Sequence, residues 1–250
     1  MNKKSYYKLH PQIYDDQFWW KKDDIEFWKR IFYSCNKSVL ELAAGTGRLA
    51  LPLLREKINY TGIELSKEYC VHANKKLECF SKDPLITQGD IRCFNFNYKY
   101  DIIFIAFNSL CHLISEKELI KTLNCIKNHM HQNSKLYIDI FVPHTNMFNN
   151  NPKALEKRGE FYDSVYKKNA TIKETLNYDH RKETIKVKWF YESKSNIYNT
   201  FSFAMKIYYP DTMNRVLIEN GFNILNLWGG YEGTEFNESS NLQIYQCTLR

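Results

Sequence analysis

Two hydrophobic periods alternate along most of this chain, and a third regime interrupts them near residue 160. The stretch 38–54, SVLELAAGTGRLALPLL, passes from an apolar run through Ala43-Ala44-Gly45-Thr46-Gly47 into a helical spacing at Leu49, Ala50, Leu53 and Leu54. It predicts strand, tight glycine turn, helix. Further strands are expected at 58–65, at 85–88 and at 136–142, with a nearly continuous apolar run at 100–107 suited to a central strand buried on both faces. Helices are expected between them at 68–80 and 119–131, and another from Asp24, where Ile25, Trp28, Ile31 and Phe32 share one face and Asp23 or Asp24 serves as N-cap. The preceding IYDDQFWW is less regular.

From 160 to 209 the pattern becomes alternation of period two, at 160–166, 171–178, 183–192 and 199–208, with a hairpin turn at 179–182. This predicts antiparallel strands. A helix then starts at Pro210 and ends at Asn220-Gly221, and strands at 222–227 and 242–249 close the chain around Gly229-Gly230-Tyr231-Glu232-Gly233. The fold class is therefore α/β: a Rossmann-like, seven-stranded, mostly parallel sheet with a last antiparallel strand. An inserted antiparallel sheet, 160–209, lies between two of its elements.

A chain of 250 residues with 44% hydrophobic and 25% charged residues can bury a large core, and ordinary globular usage excludes disordered and fibrous classes. The net charge of +7 comes from scattered lysines, which reads as a solvated surface rather than a nucleic-acid footprint. Seven cysteines show no CxxC pair and no metal-ligand spacing, so no metal is expected and a reducing, cytoplasmic compartment fits. The amino terminus lacks the apolar core of a signal peptide, and no run is long enough to span a membrane.

The candidate chemistry gathers at strand ends. Glycines at 45 and 47 let the backbone turn sharply and approach a ligand, and the first N–H groups of the next helix face the same place. Glu64 follows Gly47 by 17 residues, near the spacing of about twenty at which an acidic residue of nucleotide-binding α/β units meets ribose hydroxyls. Asp90 lies in the turn after a third strand, and Asn108-Ser109-Leu110-Cys111-His112 follows the fourth, at the edge where open α/β sheets bind ligands.

Glu41 to Gly47 resembles the acidic-x-x-x-Gly-x-Gly motif of class I S-adenosylmethionine-dependent methyltransferases, most like those acting on amino sugars, glycine-type amines and natural-product intermediates. The resemblance covers nearly the whole chain and thins in the insertion. It implies one methyltransferase domain, 1–250, with 1–37 an aromatic lid and helix and 160–209 a cap. It implies that Glu41, Ala43, Gly45, Gly47 and Arg48 hold the methionine portion of S-adenosylmethionine, that Glu64 with Leu65 meets ribose, and that Asp90 and Ile91 meet adenine. Phe107 would border the adenine or sulfonium region, and Tyr14 would cover the cofactor. His112 is a candidate general base or acceptor-positioning group, with Tyr14 beside it on the catalytic side; a structural histidine at a helix start is the other reading. Many relatives carry a Pro-Gly-Gly turn before the fifth strand, and Gln132-Asn133-Ser134 stands there in this chain.

The implied activity is methyl transfer to an N or O nucleophile of a small metabolite, nitrogen favoured, through proximity and orientation. The aromatic side chains of the insertion, Trp189, Phe190, Tyr191, Phe201, Phe203, Tyr208 and Tyr209, suit an acceptor pocket or a homodimer surface. An RNA or protein methyltransferase and a non-catalytic adenosyl-binding module are the alternatives. The residues after the fourth strand lack the Asn-Pro-Pro-Tyr type of motif that marks base amino-group methylation. An NAD-dependent dehydrogenase is disfavoured by the full-chain order rather than by the turn, since Ala50, at the third glycine of G-x-G-x-x-G, is tolerated in some such enzymes.

Overall fold

In the computed structural model the described residues are 9–33, 37–144 and 154–250; Tyr6 and Tyr7 of the aromatic amino-terminal segment, and Cys35, lie outside them. The chain opens with helices α1 (Pro11–Gln17) and α2 (Asp23–Phe32). An alternating series follows: β1 (Ser38–Leu42), α3 (Ala50–Arg55), β2 (Asn59–Glu64), α4 (Lys67–Leu77), β3 (Ile86–Gln88), β4 (Tyr100–Ile105), α5 (Glu116–Asn128) and β5 (Met130–Phe141). Four long strands come next, β6 (Glu156–Asp163), β7 (Lys168–Asp179), β8 (Thr184–Ser193) and β9 (Asn196–Lys206). The chain ends with α6 (Pro210–Glu219), β10 (Phe222–Trp228) and β11 (Leu242–Leu249).

These elements divide into two compact units, one made of 1–21 and 143–207, the other of 22–142 and 208–250. The larger unit holds a seven-stranded sheet in the order β10-β11-β5-β4-β1-β2-β3, in which β11 runs antiparallel to both its neighbours and the other pairs are parallel. This is the Rossmann-like sheet that the alternation of periods implies. The chain starts at the centre in β1, works outward to β3, then returns to β4 on the other side of β1, so the strand order reverses between β1 and β4. Crevices for ligands open at the carboxyl ends of such a pair.

The core beneath that crevice is aromatic. Trp28 and Phe32 of α2 are fully buried and rest on Phe104 of β4, with ring centroids 5.1 and 5.0 Å apart. Burying side chains of this kind contributes roughly 1.5–3 kcal/mol each, which holds α2 against β4, one of the strands that end at the crevice.

The smaller unit is the antiparallel sheet β6-β7-β8-β9, a meander with consecutive strands paired. Helix α1 packs on one face of it, placing Leu9 and Ile13 against Phe161, Ala170, Ile172 and Tyr191. The Tyr191 hydroxyl donates to Gln17 at 2.8 Å, and Ser164 donates to Asp16 through both its N–H and its hydroxyl.

Local differences from the sequence reading have physical causes. The stretch 13–20, IYDDQFWW, expected to be less regular, is helical as far as Gln17 in α1, because Pro11 supplies a preset φ at the first turn and His10 Nδ1 accepts from the N–H of Gln12 at 3.2 Å. Asp23 and Asp24 are not the cap of α2; they lie in its first turn, the cap position is Lys22, and no side chain bonds there. Strand β5 starts at Met130 rather than 136, and the helix before it ends at Asn128. Gln132-Asn133-Ser134 is an irregularity inside that strand: pairing runs from Tyr100↔Met130 to Ile102↔Lys135, so five positions advance on β5 against two on β4. Ser134 Oγ pins the irregularity by donating to the Tyr100 carbonyl at 2.6 Å and accepting from the N–H of His131.

Candidate functional site

Strand β1 ends in a turn that only part of the amino-acid alphabet tolerates. Ala43, Gly45 and Gly47 all lie in the left-handed region, at φ +58°, +58° and +74°. The turn is fastened to β2 by the N–H of Ala44, which donates to the Ile63 carbonyl at 2.9 Å, and it closes on itself through Gly47 N–H to the Ala44 carbonyl at 3.0 Å. A Cβ on Gly47 would lie 3.3 Å from both Ala73 and Ile86, whereas one on Gly45 would meet nothing within 4 Å. Gly47 is thus a packing glycine, whereas the space where Gly45 would carry a Cβ is open.

Glu64, at the carboxyl end of β2, is 6% exposed and reaches into this turn. Its Oε2 accepts from Gly45 N–H at 3.0 Å and its Oε1 from Ser66 N–H at 2.8 Å. Burial pushes its carboxyl above the ordinary value, while the backbone donors at Ser66, Gly45 and Leu65 oppose that rise. Each carboxylate oxygen keeps lone-pair capacity beyond these bonds, so Glu64 is an oriented, acceptor-rich group beside the glycine turn, able to accept from two vicinal hydroxyls. Leu65, beside it, is 38% exposed.

Glu41 sits one strand over, opposite Gly62 in the β1–β2 register. It is buried and accepts from the Tyr60 hydroxyl at 2.5 Å. Desolvation pushes its carboxyl up to about 8; the Tyr60 hydrogen bond and the Arg48 charge pull the other way, and the Asp24 and Glu64 charges add to the rise. Arg48 does not reach for a ligand with its fork. Its two terminal nitrogens bond the two oxygens of Asp24 at 2.8 and 2.6 Å, and its guanidinium lies 5.1 Å from the Phe107 ring centroid.

Strand β3 delivers Asp90. The N–H of Gly89 donates to the Glu64 carbonyl at 2.9 Å, which sets the end of β3 beside the end of β2. The Asp90 carboxylate is clasped by Arg92, whose Nε and Nη2 bond it at 2.9 and 2.7 Å, and whose Nη1 continues to Glu118 of α5. The Arg92 hydrogen bonds hold the Asp90 carboxyl below its ordinary value. Ile91 follows in the turn, half-buried.

Beyond β4 the backbone is again left-handed, at Phe107 (φ +52°) and Asn108 (φ +62°), so the strand stops at Ile105 rather than at 107. Two such residues in sequence cost of order 1–3 kcal/mol each and persist where neighbours enforce them. Here the enforcer is Asp139, 1% exposed, whose Oδ2 accepts from Phe107 N–H at 3.0 Å and from the Tyr231 hydroxyl at 2.9 Å. Its carbonyl accepts from Asn108 N–H, and Asn108 Oδ1 accepts from Phe141 N–H at 2.7 Å. His112 ends the 3-10 turn Ser109–His112 that follows, and it is exposed.

The larger unit therefore gathers Glu41, Ala43, Gly45, Gly47, Arg48, Glu64, Leu65, Asp90, Ile91 and Phe107 at neighbouring strand ends, with His112 on the turn after β4. Tyr14 belongs to the other unit, in α1, with its ring 4.8 Å from Phe18. The sequence reading overlooked Tyr60, Arg92, Asp139 and Tyr231. The signal for Tyr60 was present, since it lies two residues before Gly62 and shares its face, but its partner becomes visible only with the register. Among the described residues no cluster of His, Cys, Asp and Glu has metal-site geometry, and no helix is long and apolar enough to cross a membrane.

Residues 39–133 match the model of a family described as a methyltransferase domain. Over 89 residues the chain is 32% identical to the putative methyltransferase YqeM of Bacillus subtilis, covering 35% of this chain and 36% of that protein. Over 93 residues it is 30% identical to a dTDP-3-amino-3,4,6-trideoxy-alpha-D-glucopyranose N,N-dimethyltransferase of Streptomyces venezuelae, covering 37% and 38%. The matched segments span little more than a third of these curated relatives. In shape, the chain is similar to an S-adenosylmethionine-dependent methyltransferase of Clostridium acetobutylicum, with a TM-score of 0.77, 20% identity, and 95% and 96% of the two chains covered. That likeness is one of fold.

Proposed function

Proceeding from the match of residues 39–133 to a methyltransferase-domain model, we propose that the chain is an S-adenosylmethionine-dependent methyltransferase that methylates an N or O nucleophile of a small metabolite, nitrogen favoured. The observation that carries the reading is the bond between Glu64 and Gly45 N–H at 3.0 Å. It joins, in one place, the glycine turn and the acidic strand end that the motif spacing singles out. The amino-sugar N,N-dimethyltransferase among the relatives supports a small amine as acceptor.

When bound, S-adenosylmethionine supplies a methyl group already activated on a sulfonium. The protein's share is then to hold, orient and exclude water. Glu64 and Leu65 receive the ribose, whose hydroxyls meet lone pairs the backbone donors leave open. Glu41 and the turn from Ala43 through Gly45 to Gly47 receive the methionine portion. Arg48 keeps that turn fixed to α2 through Asp24 and supports Phe107, which borders the adenine or sulfonium region. Asp90 and Ile91 receive adenine, with Arg92 orienting the carboxylate. His112 serves the acceptor. Orientation in such a site is worth roughly 7–11 kcal/mol of barrier in favourable cases, and a neutral amine requires no dedicated base.

Calorimetry with S-adenosylmethionine, S-adenosylhomocysteine and NAD tests the cofactor, with Glu64→Ala as control. Binding of the first two and its loss in the variant are expected; a preference for NAD, or undiminished binding by the variant, overturns the assignment. Turnover is then read as S-adenosylhomocysteine release across amine and alcohol acceptors. Tight cofactor binding with no turnover on any acceptor would favour the non-catalytic module, and salt-sensitive RNA binding would favour the macromolecular alternative.

A further inference from the structure

Gly62 opens a passage that the sequence motif does not reveal. A Cβ built there would lie 2.8 Å from the Tyr60 hydroxyl oxygen and 2.9 Å from Ala44 Cβ. The absence of a side chain at 62 therefore lets the Tyr60 ring lie along its own strand and carry its hydroxyl toward the carboxyl end of β1. Glu41, the residue paired with Gly62 across the strands, is what it meets, at 2.5 Å. Tyr60 is 2% exposed and Glu41 5%, so this hydroxyl and carboxyl face each other out of water.

We propose that Tyr60 is a positioning residue for the cofactor: with Glu41 it forms a buried proton-holding pair, and entry of the cofactor's cationic amino-acid portion expels one proton from that pair. The proposal rests on the cofactor reading above. The step is simple to balance. The Glu41 O–H bond breaks, the proton leaves to solvent, and the carboxylate that remains accepts from the Tyr60 hydroxyl while facing the ligand's ammonium. No other bond changes.

The charged surroundings favour a pair that is neutral until a cation arrives. Four groups act on Glu41: Tyr60 from β2, Glu64 from the end of β2, Arg48 from the turn before α3, and Asp24 from α2. Arg48 is already neutralised by Asp24 through two bonds, so it offers little net charge to Glu41. Glu64 adds a negative neighbour. Burial pushes the Glu41 carboxyl up to about 8 and raises the Tyr60 hydroxyl well above its ordinary value, which favours the protonated pair at neutral pH. A cation brought against Glu41 reverses the balance.

The test compares ligands with and without the amino-acid portion. S-adenosylhomocysteine and adenosine are titrated calorimetrically against the full chain between pH 6 and 9, in buffers of different ionisation enthalpy. The expected result is about tenfold tighter S-adenosylhomocysteine binding per pH unit below the midpoint, with close to one proton released at pH 7, and adenosine binding that does not change with pH. Tyr60→Phe and Gly62→Ala remove the hydroxyl or its path, and either is expected to move the midpoint to higher pH. The ligand's own amine titrates alike against every variant, so the difference between profiles isolates the pair. A carboxyl NMR titration of the unliganded wild type, with glutamate labelled at the carboxyl carbon, is expected to show one glutamate titrating near 8 that ionises when S-adenosylhomocysteine is added at pH 7. Tight binding that is flat with pH, a Tyr60→Phe profile that overlays the wild type, or no such glutamate overturns the proposal while leaving the cofactor assignment standing. Failure of S-adenosylhomocysteine to bind at any pH overturns the cofactor assignment itself.

Discussion

Arg48 and Asp24 meet fork to fork, with both guanidinium ends on both carboxylate oxygens, and the Asp24 side chain is fully buried while Arg48 keeps 17% exposure. The pair joins the second residue of α2 to the residue after the glycine turn. Removing one partner strands a charge, and breaking a buried pair costs about 3–5 kcal/mol. Arg48→Ala is therefore expected to lower the unfolding free energy by that amount in urea titration. Arg48→Lys should recover only part of it, because an ammonium lacks the planar fork. The double variant Asp24→Asn, Arg48→Met should be less destabilised than Arg48→Ala alone.

The two glycines of the turn should separate stability from binding. Both need a left-handed backbone, which costs other residues roughly 1–2 kcal/mol. Gly47→Ala adds contacts at 3.3 Å with Ala73 and Ile86, so its loss should reach roughly 2–4 kcal/mol once overpacking is included. Gly45→Ala meets nothing within 4 Å; it should lose only the backbone share and yet weaken S-adenosylhomocysteine binding measurably. Thermal melts set beside calorimetry read both effects. Equal losses of stability in the two variants would contradict the packing role of Gly47.

Asp90 and Arg92 predict a pH signature on the acid side. The carboxyl is held below its ordinary value near 3.8 by the Arg92 hydrogen bonds. A depressed folded-state pKa stabilises the fold at pH values above the unfolded one, and that stabilisation is lost as pH falls through the folded one. Arg92→Ala should therefore be less stable than wild type at pH 6, and the gap should narrow steadily below pH 4. Denaturant midpoints at a series of pH values check the convergence.

Glu41 carries the opposite sign. Its carboxyl is pushed up from 4.5 to about 8 by burial, so the unliganded fold is most favoured with the proton on. That stability is full below the unfolded pKa and drains as pH climbs toward 8. Glu41→Gln, which holds its hydrogen neutral at every pH, should gain on the wild type between pH 5 and 8 in melting temperature. A difference constant across that range would contradict a buried protonated carboxyl.

His112 tests the acceptor side of the proposed reaction. With a neutral amine as acceptor, His112→Ala is expected to raise KM for the acceptor and to lower kcat by less than about tenfold, below the 10²–10⁴ typical of a lost general base. Cofactor affinity should stay near wild type in His112→Ala. A fall in kcat of a thousandfold in His112→Ala would identify it as the base.

The primary sequence determined the layer order. Apolar runs alternating with helical spacings specify a parallel sheet because the two periods are local properties of the chain, and Pro210, Gly221 and the run 242–249 mark the last helix and strand where they stand. The glycine turn and Glu64 were legible for the same reason, since a spacing of 17 residues is one turn, one helix and one strand. What the sequence left to the tertiary structure are the pairings made across the sheet. Asp24 reads as a helix cap and becomes the partner of Arg48; Arg92 reads as a turn residue and clasps Asp90; Tyr60 and Asp139 read as strand positions and hold Glu41 and the Phe107–Asn108 turn. Such contacts depend on which strands become neighbours and in what register, and burial then decides which carboxyls keep a proton. Neither quantity exists until the sheet has closed.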